Sequence, residues 1–189
     1  MNNTDTICAY PWTWFSFNVD YGMWRACPRS EYRWFQTESE VDNFFNTKTE
    51  QKIRSDLYNG TRNSNCGDCY TAEDSGGMSY RKVLKKDYAV DNANSVIVKA
   101  PKVLELKFSN LCNLKCVFCA SVCSSLWEHE LGLPQQYVDN QKVSAEYMRK
   151  SLFEWLKKNI KNVDSIMYLG GEPAIQPECY EIVDLLVNN

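Results

Sequence analysis

The stretch "KVLELKFSNLCNLKCVFC", residues 102–119, joins the pattern of a β-strand to a loop rich in cysteine. Apolar side chains recur at every second position of its first half, which is the period of a strand: Leu104, Leu106 and Phe108. Three cysteines follow at a C-x3-C-x2-C spacing: Cys112, Cys116 and Cys119. Soft sulfur ligands select zinc, copper(I) or iron–sulfur clusters, and structural zinc prefers four ligands in paired knuckles. The stretch therefore predicts a metal-binding loop at the carboxyl end of a strand.

The residues beyond this loop repeat the order of strand, loop and helix. Ser144 can cap a helix that runs to about Lys161, and "SIMYL" at 165–169 has the pattern of a second strand. "GGEP" at 170–173 follows that strand, and Pro177 opens a last helix. A βαβα order favours parallel strands whose carboxyl ends lie on one side of the sheet, where α/β folds hold their active sites. We therefore expect the two loops to face the same cavity.

The composition is that of a packed globular protein. The chain has 189 residues, of which 44% are hydrophobic, enough for one sizeable domain or two small ones. Its net charge is −3, so the sequence predicts neither non-specific binding to nucleic acid nor attraction to an anionic membrane. We expect the partner to be a small molecule or a polypeptide.

The amino terminus and the cysteine content both indicate a reducing compartment. "MNNTDTICAYPW", residues 1–12, has neither the basic start nor the apolar segment of a secretory signal, and no later run reaches the roughly 18 apolar residues of a spanning helix. Nine cysteines in a cytoplasmic chain argue against a disulfide framework, because such thiols are kept reduced. The sequence predicts a cytoplasmic protein that uses most of its cysteines for metal.

A second group of cysteines precedes residue 70: Cys8, Cys27, Cys66 and Cys69. Residues 15–21 alternate apolar with polar side chains, which predicts a half-buried strand. A turn at Gly22 then sends "MWRAC" back as a second strand, so that the cysteine at its end approaches the first one. "NCGDCY", residues 65–70, predicts a tight knuckle that carries the other two cysteines.

The remaining patterns suggest how the chain is divided. Residues 39–59 and 73–88 are predicted to be helical, the second helix being weakened by two glycines. Residues 91–101 are polar and end in proline, which indicates a linker. We expect a small α+β cysteine-rich domain over 1–90 and a βα domain over 102–189.

The second domain resembles the radical SAM superfamily, whose C-x3-C-x2-C motif follows the first strand of a βα barrel. "CNLKCVFC", residues 112–119, matches that motif, including the aromatic Phe118 before its third cysteine. The resemblance implies that the three cysteines hold a 4Fe-4S cluster whose free iron is chelated by the amino and carboxylate groups of S-adenosylmethionine. It also implies that Gly170, Gly171 and Glu172 bind the amino group of the methionine part, with Pro173 fixing the turn.

The first domain resembles the auxiliary-cluster region called SPASM, or its shorter twitch form. Cys8 and Cys27 fit a C-x13-G-x4-C pattern, and Cys66 and Cys69 form the C-x2-C pair. The resemblance implies that these four thiolates close a second 4Fe-4S site that transfers electrons or shapes the substrate site. In most relatives this region follows the barrel, whereas here it precedes it. Zinc is the alternative for these four cysteines, because distant pairs of this kind also occur in zinc ribbons.

Five other residues carry side chains that could have a role. Cys123 lies where the family needs no ligand and is predicted to be a free thiol, while Cys179 is predicted to lie in a helix core. His129 is predicted to be a surface residue. Glu105 and Lys107 have two interpretations: they line a barrel lumen and touch substrate or cofactor, or they form an ion pair on an exposed strand face.

The resemblance implies an α/β fold, namely a partial, truncated radical SAM-type βα barrel after the small cysteine-rich domain. Such barrels usually have six βα units, and residues 102–189 can supply about two. The chain is then a truncated product, a minimal fold, or a barrel that a second chain completes. The function predicted first is a radical SAM enzyme with an electron donor and a peptide or protein as a candidate substrate. The alternative is a non-catalytic iron–sulfur or zinc binding module, or a fragment.

Overall fold

An open sheet of five strands lies at the centre of the computed structural model, which describes residues 6–84 and 95–188. Its strands are β1 (Trp14–Asn18), β2 (Met23–Arg25), β3 (Arg33–Trp34), β4 (Val103–Lys107) and β5 (Ser165–Tyr168). The spatial order is β3-β2-β1-β4-β5. The first three strands are antiparallel neighbours, whereas β1 with β4 and β4 with β5 are parallel. The fold is mixed α/β, and in the described part of the chain the sheet does not close into a barrel.

The described residues contain nine α-helices. They are α1 (Tyr10–Thr13), α2 (Glu38–Asp42), α3 (Lys48–Tyr58), α4 (Gly67–Asp74), α5 (Tyr80–Leu84), α6 (Ser125–Leu131), α7 (Gln135–Asp139), α8 (Ala145–Asn159) and α9 (Pro177–Val187). Short 3₁₀ turns lie at Phe44–Asn46, Ser64–Cys66, Ser121–Cys123, Ile160–Asn162 and Pro173–Ile175. Within the ranges described, no helix combines the length and the apolar character that crossing a bilayer requires.

The predicted amino-terminal hairpin is confirmed, but β1 is not half-buried. Phe17 pairs with Trp24 across the hairpin, and Gly22 makes the turn with φ 66°. All five residues of β1 are buried, because β2 and β4 flank the strand on both sides. The buried polar side chains of the strand form hydrogen bonds. The Ser16 hydroxyl, for example, donates to the carboxylate of Glu105 at 2.7 Å.

One face of the sheet carries the main hydrophobic core. Its central strands contribute Phe15, Phe17, Leu104 and Leu106, and α8 contributes Met148, Leu152 and Leu156. The predicted cap of α8 is confirmed, since the Ser144 hydroxyl accepts from the backbone N–H of Tyr147 at 3.2 Å. The second strand and the helix from Pro177 are also where the sequence places them. The βαβα order therefore forms a parallel pair with a helix on its apolar face.

Two predicted helices are shorter than the sequence pattern suggested. The helix over 39–59 is broken, because Phe44 and Phe45 turn into the core and Thr47 starts a new helix by accepting from the N–H of Glu50. The helix over 73–88 is also wrong as one element: α4 ends at Asp74, and α5 begins at Tyr80. Its predicted end beyond residue 84 lies outside the described residues.

Strands from both predicted domains share a single sheet. β1 comes from the segment 1–90 and β4 from the segment 102–189, and Trp14 pairs with Val103 in a parallel register that continues to Asn18 and Lys107. The core on this sheet includes residues from both segments. The domain boundaries stay a prediction, and the first part of the predicted linker 91–101 lies outside the described residues.

Candidate functional site

The loop after β4 is held in place by the residues that begin α6. The backbone N–H of Cys112 donates to the Ser125 hydroxyl at 3.1 Å, and the Ser124 hydroxyl donates to the carbonyl of Leu114 at 3.0 Å. The indole N–H of Trp127 donates to the carbonyl of Cys116 at 3.0 Å. The sequence "SSLW" is therefore the scaffold of the cysteine loop, a role that its residue types alone did not reveal.

The loop after β5 lies against the cysteine loop. The N–H of Gly171 donates to the carbonyl of Cys123 at 3.0 Å, and the N–H of Glu172 donates to the carbonyl of Leu111 at 2.9 Å. Both loops follow strands that run in the same direction. The structure therefore brings together the two loops that the sequence singled out, at the carboxyl ends of β4 and β5.

The two glycines of GGEP are required by this contact. Gly170 and Gly171 have φ 72° and 54°, a region that side chains disfavour. A Cβ at Gly170 would lie 2.5 Å from the side chain of Lys107, and one at Gly171 would overlap the carbonyl oxygen of Leu111. Contacts within the chain thus account for both glycines, whereas the sequence interpretation assigned them to the approach of a ligand.

A buried glutamine also holds the GGEP loop. Gln176 is 1% exposed, and its side-chain amide donates to the carbonyl of Gly170 at 3.0 Å and to that of Ser109 at 3.4 Å. It therefore joins the GGEP loop to the residues that follow β4. Sequence reasoning missed this residue, since nothing in its neighbours distinguishes it from an ordinary polar residue before a helix.

Lys107 lies beneath the cysteine loop and is buried. Its ammonium group donates to the carbonyl of Val122 and lies 4.6 Å from the centre of the Tyr21 ring. Burial lowers the pKa of Lys107, and the nearby thiol of Cys123 and carboxylate of Asp20 oppose that shift. An exposed ion pair between Glu105 and Lys107 is therefore the wrong interpretation of this strand, since both side chains are buried and contact other groups.

The side chains of the cysteine loop differ in exposure. The three motif cysteines and Cys123 are partly exposed, and Phe118 is 90% exposed. The carboxylate of Glu172 accepts from the N–H of Ala174 at 3.0 Å and so caps the turn that Pro173 begins. The predictions for Cys179, buried in α9, and for His129, exposed on α6, are confirmed.

The four cysteines of the first group line one cavity. Cys8 precedes α1, Cys27 follows β2, and the other two, Cys66 and Cys69, lie at the start of α4. Arg29 also lines this cavity, and its backbone N–H donates to the sulfur of Cys27 at 3.4 Å. The hairpin and the start of a helix thus bring four cysteines, up to 61 positions apart (69 − 8) in the chain, to the lining of one cavity.

Burial dominates the electrostatics of this cavity. It raises the pKa of Cys8 and Cys27, and it raises the pKa of Cys66 to about 12, with the neighbouring cysteines adding to the rise at Cys8 and Cys66. These thiols therefore stay protonated near neutral pH in the absence of a cation. A metal or cluster that binds them displaces their protons, because thiolates are the ligands.

The two cysteine groups lie at opposite ends of the parallel strands β1 and β4. Ser16 pairs with Arg25, so Cys27 lies close to the amino end of β1. The second group follows the carboxyl end of β4, which is parallel to β1. Five residues of strand separate the two ends, a length of about 13 Å at 3.3 Å per residue. The sheet therefore spaces the two groups apart rather than joining them.

Comparison with known proteins adds no constraint. No family model, curated protein or solved structure matches this chain. Within residues 6–84 and 95–188, no three side chains of His, Cys, Asp or Glu are arranged to hold a metal ion. The functional assignment therefore depends on the sequence motifs and on the geometry of the two cysteine groups.

Proposed function

We propose that this chain is a radical SAM enzyme that cleaves S-adenosylmethionine reductively to start radical chemistry on its substrate. The observation that carries the proposal is the contact between the cysteine loop and the GGEP loop. Two backbone hydrogen bonds, from Gly171 and Glu172, join these loops at the carboxyl ends of two parallel strands. The proposed activity needs both motifs at one place, although they are 51 positions apart (170 − 119) in the chain.

The residues present suit a cluster in their donor chemistry. Three partly exposed thiols on one loop are soft ligands, which iron–sulfur clusters require. Cys112, Cys116 and Cys119 would hold the 4Fe-4S cluster. When bound, the cluster supplies the electron that splits S-adenosylmethionine into methionine and a 5′-deoxyadenosyl radical.

The chain itself provides position and charge. Hydrogen bonds from Ser124 and Trp127 fix the backbone of the cysteine loop. Lys107 places a buried ammonium group beneath that loop, where it donates to the carbonyl of Val122. The N–H groups of Gly171 and Glu172 hold the second loop against the first. There Gly170, Gly171 and Glu172 would bind the amino group of the methionine part of the cofactor, with Pro173 fixing the turn.

We further propose that Cys8, Cys27, Cys66 and Cys69 hold a second 4Fe-4S cluster, with zinc as the alternative occupant. Their common cavity supports this assignment. The βα unit would then be the first part of a radical SAM-type barrel, and the enzyme would work in the cytoplasm with an electron donor and a peptide or protein substrate. A second chain that supplies further strands is compatible with the open sheet.

The experiment is anaerobic reconstitution with iron and sulfide, followed by dithionite and S-adenosylmethionine. We expect 5′-deoxyadenosine from the parent protein and none above background from Cys116→Ala. Cys179→Ala is the matched control, because Cys179 is buried in α9 and should leave product formation unchanged.

Two outcomes would contradict the proposal. A fully loaded parent protein that releases no 5′-deoxyadenosine supports the non-catalytic module instead. Product formation by Cys116→Ala at the parent's rate shows that the cluster site lies elsewhere. Zinc at the first cysteine group, together with about four irons per chain (the content of one cluster), would refute the second cluster alone.

A further inference from the structure

The face of the sheet opposite the hydrophobic core is polar. Residues that pair across β1 and β4 show this directly, since Ser16 is opposite Glu105 and Asn18 is opposite Lys107. All four are buried. This face extends between the two cysteine groups, from Cys27 near the amino end of β1 to the loop that follows Lys107. A ligand bound on it would therefore lie between both proposed clusters.

Glu105 lies in the middle of this face and presents one carboxylate oxygen. Three donors converge on its Oε1: Ser16 at 2.7 Å, Arg25 at 2.8 Å and Tyr32 at 3.4 Å. The other oxygen, Oε2, accepts from none of the described residues, and the Glu105 side chain keeps 9% of its surface exposed, part of it at this oxygen. The network thus fixes the carboxylate and leaves one acceptor open.

The surroundings of that open oxygen are positioned by the same network. Arg25 stacks its guanidinium 4.5 Å from the centre of the Tyr32 ring and also donates to the carbonyl of Pro28, next to Cys27. On the neighbouring strand β5, Met167 is the register partner of Glu105 and is 41% exposed. The open carboxylate oxygen therefore has a cation on one side and an accessible apolar side chain on the other.

We propose that Glu105 binds the substrate and selects an amine or guanidinium group carried on an apolar stem, as in a lysine or arginine side chain of a peptide. A carboxylate that is already oriented forms a charge-assisted hydrogen bond to such a group and loses little conformational entropy on binding. Met167, which is the register partner of Glu105 on β5 and is 41% exposed, would pack against the stem. The proposal rests on the proposed function, because it names the substrate class of the same enzyme.

The test uses the full-length protein, loaded anaerobically, and two capped tripeptides. One has a central lysine, and the other has a central norleucine, which keeps the stem and removes the amine. We expect the parent to bind the lysine peptide about tenfold more tightly, a ratio typical of one hydrogen bond to a charged group. Glu105→Gln should abolish that preference, since it retains Oε1 and converts the open acceptor into a donor.

The controls separate binding from folding. Glu181→Gln removes an exposed carboxylate on α9 and should retain the full preference. Glu105→Asp keeps the charge and should retain part of it. If Glu105→Gln does not fold, Glu105→Asp decides the question, because it shortens the side chain and moves the carboxylate, and an undiminished preference in that variant would overturn the role of Glu105.

Failure of this inference differs from failure of the proposed function. Equal binding of the two peptides, or no binding of the lysine peptide, overturns the role of Glu105 even where 5′-deoxyadenosine is formed. A preference that Glu105→Gln retains overturns it as well. Absence of 5′-deoxyadenosine overturns the enzyme assignment and leaves the peptide measurement valid as a test of the polar face.

Discussion

Two fully buried ionisable residues, Glu50 and Arg54, lie close together on α3. Glu50 is fully buried on α3, and neither of its carboxylate oxygens has a hydrogen-bond partner. Arg54 lies 3.9 Å away, but its guanidinium is bonded to the carbonyls of Pro11, Phe45 and Val96. Burial raises the pKa of Glu50 to about 7, and Arg54 and Arg33 oppose the rise.

This carboxyl predicts a pH dependence of stability. Its pKa rises from 4.5 in the unfolded chain to about 7 in the folded one, so the folded state binds the proton more tightly. Stability from this group is therefore full at low pH, falls between about pH 4.5 and 7, and is constant above. At pH 8 we expect Glu50→Gln to be more stable than the parent by up to about 3 kcal/mol, measured by urea denaturation.

The control for this change is again Glu181→Gln, whose carboxylate is exposed. It should leave both the urea midpoint and its pH dependence unchanged. A Glu50→Gln protein that loses as much stability as the parent between pH 5 and 8 would show that Glu50 is not the group responsible.

Gly171 provides a second prediction at the scale of one residue. A methyl group there meets the carbonyl of Leu111, and the φ of 54° is unfavourable for alanine. We expect Gly171→Ala to cost at least about 2 kcal/mol in thermal or urea denaturation. Gly76→Ala is the matched control, because Gly76 has φ 78° with no atom within 4 Å of the added carbon, and it should cost only about 1 kcal/mol.

At the scale of elements, α8 anchors the apolar face of the sheet. Its core residues recur at helical spacing, as Met148, Leu152 and Leu156, and all are almost completely buried. The same helix contacts α2, which comes from the opposite end of the chain. This helix therefore carries much of the packing that joins the amino-terminal segment to the βα unit.

Removing one of these side chains should be costly. Leu152→Ala leaves a cavity in the core, and we expect it to destabilise the protein by about 2–5 kcal/mol in urea denaturation. Leu186→Ala is the matched control on α9, since Leu186 is 49% exposed and should cost well under half as much. Equal effects of the two changes would show that α8 does not form the main core.

At the scale of the whole molecule, the sheet separates two cysteine groups. They share no residue, and the length of β1 lies between them. Each site should therefore fill independently. We expect Cys66→Ala and Cys116→Ala each to remove about half of the iron from the anaerobically loaded protein, measured per chain against the parent. Loss of all iron from either folded variant would refute independent sites.

The local features of this protein could be predicted from its sequence. Period-two patterns located β1 and β4, the stretch "SIMYL" located β5, a serine marked the start of α8, and the cysteine spacing singled out both groups. Each of these signals is carried by residues close in the chain. The break of the predicted helix at Phe44 was missed, because the need to bury that ring arises from the core and not from local propensity.

The placement of these features relative to one another depends on contacts between distant parts of the chain. The parallel pairing of β1 with β4, the hydrogen bonds between two distant loops and the three donors on Glu105 all join residues more than 30 positions apart or drawn from several strands. Glu105 and Lys107 are the clearest case. In the sequence they are two charged residues that alternate with apolar ones, a pattern that also suits a solvent-exposed strand face. In the structure β4 lies between β1 and β5, and both residues are buried between the two cysteine groups.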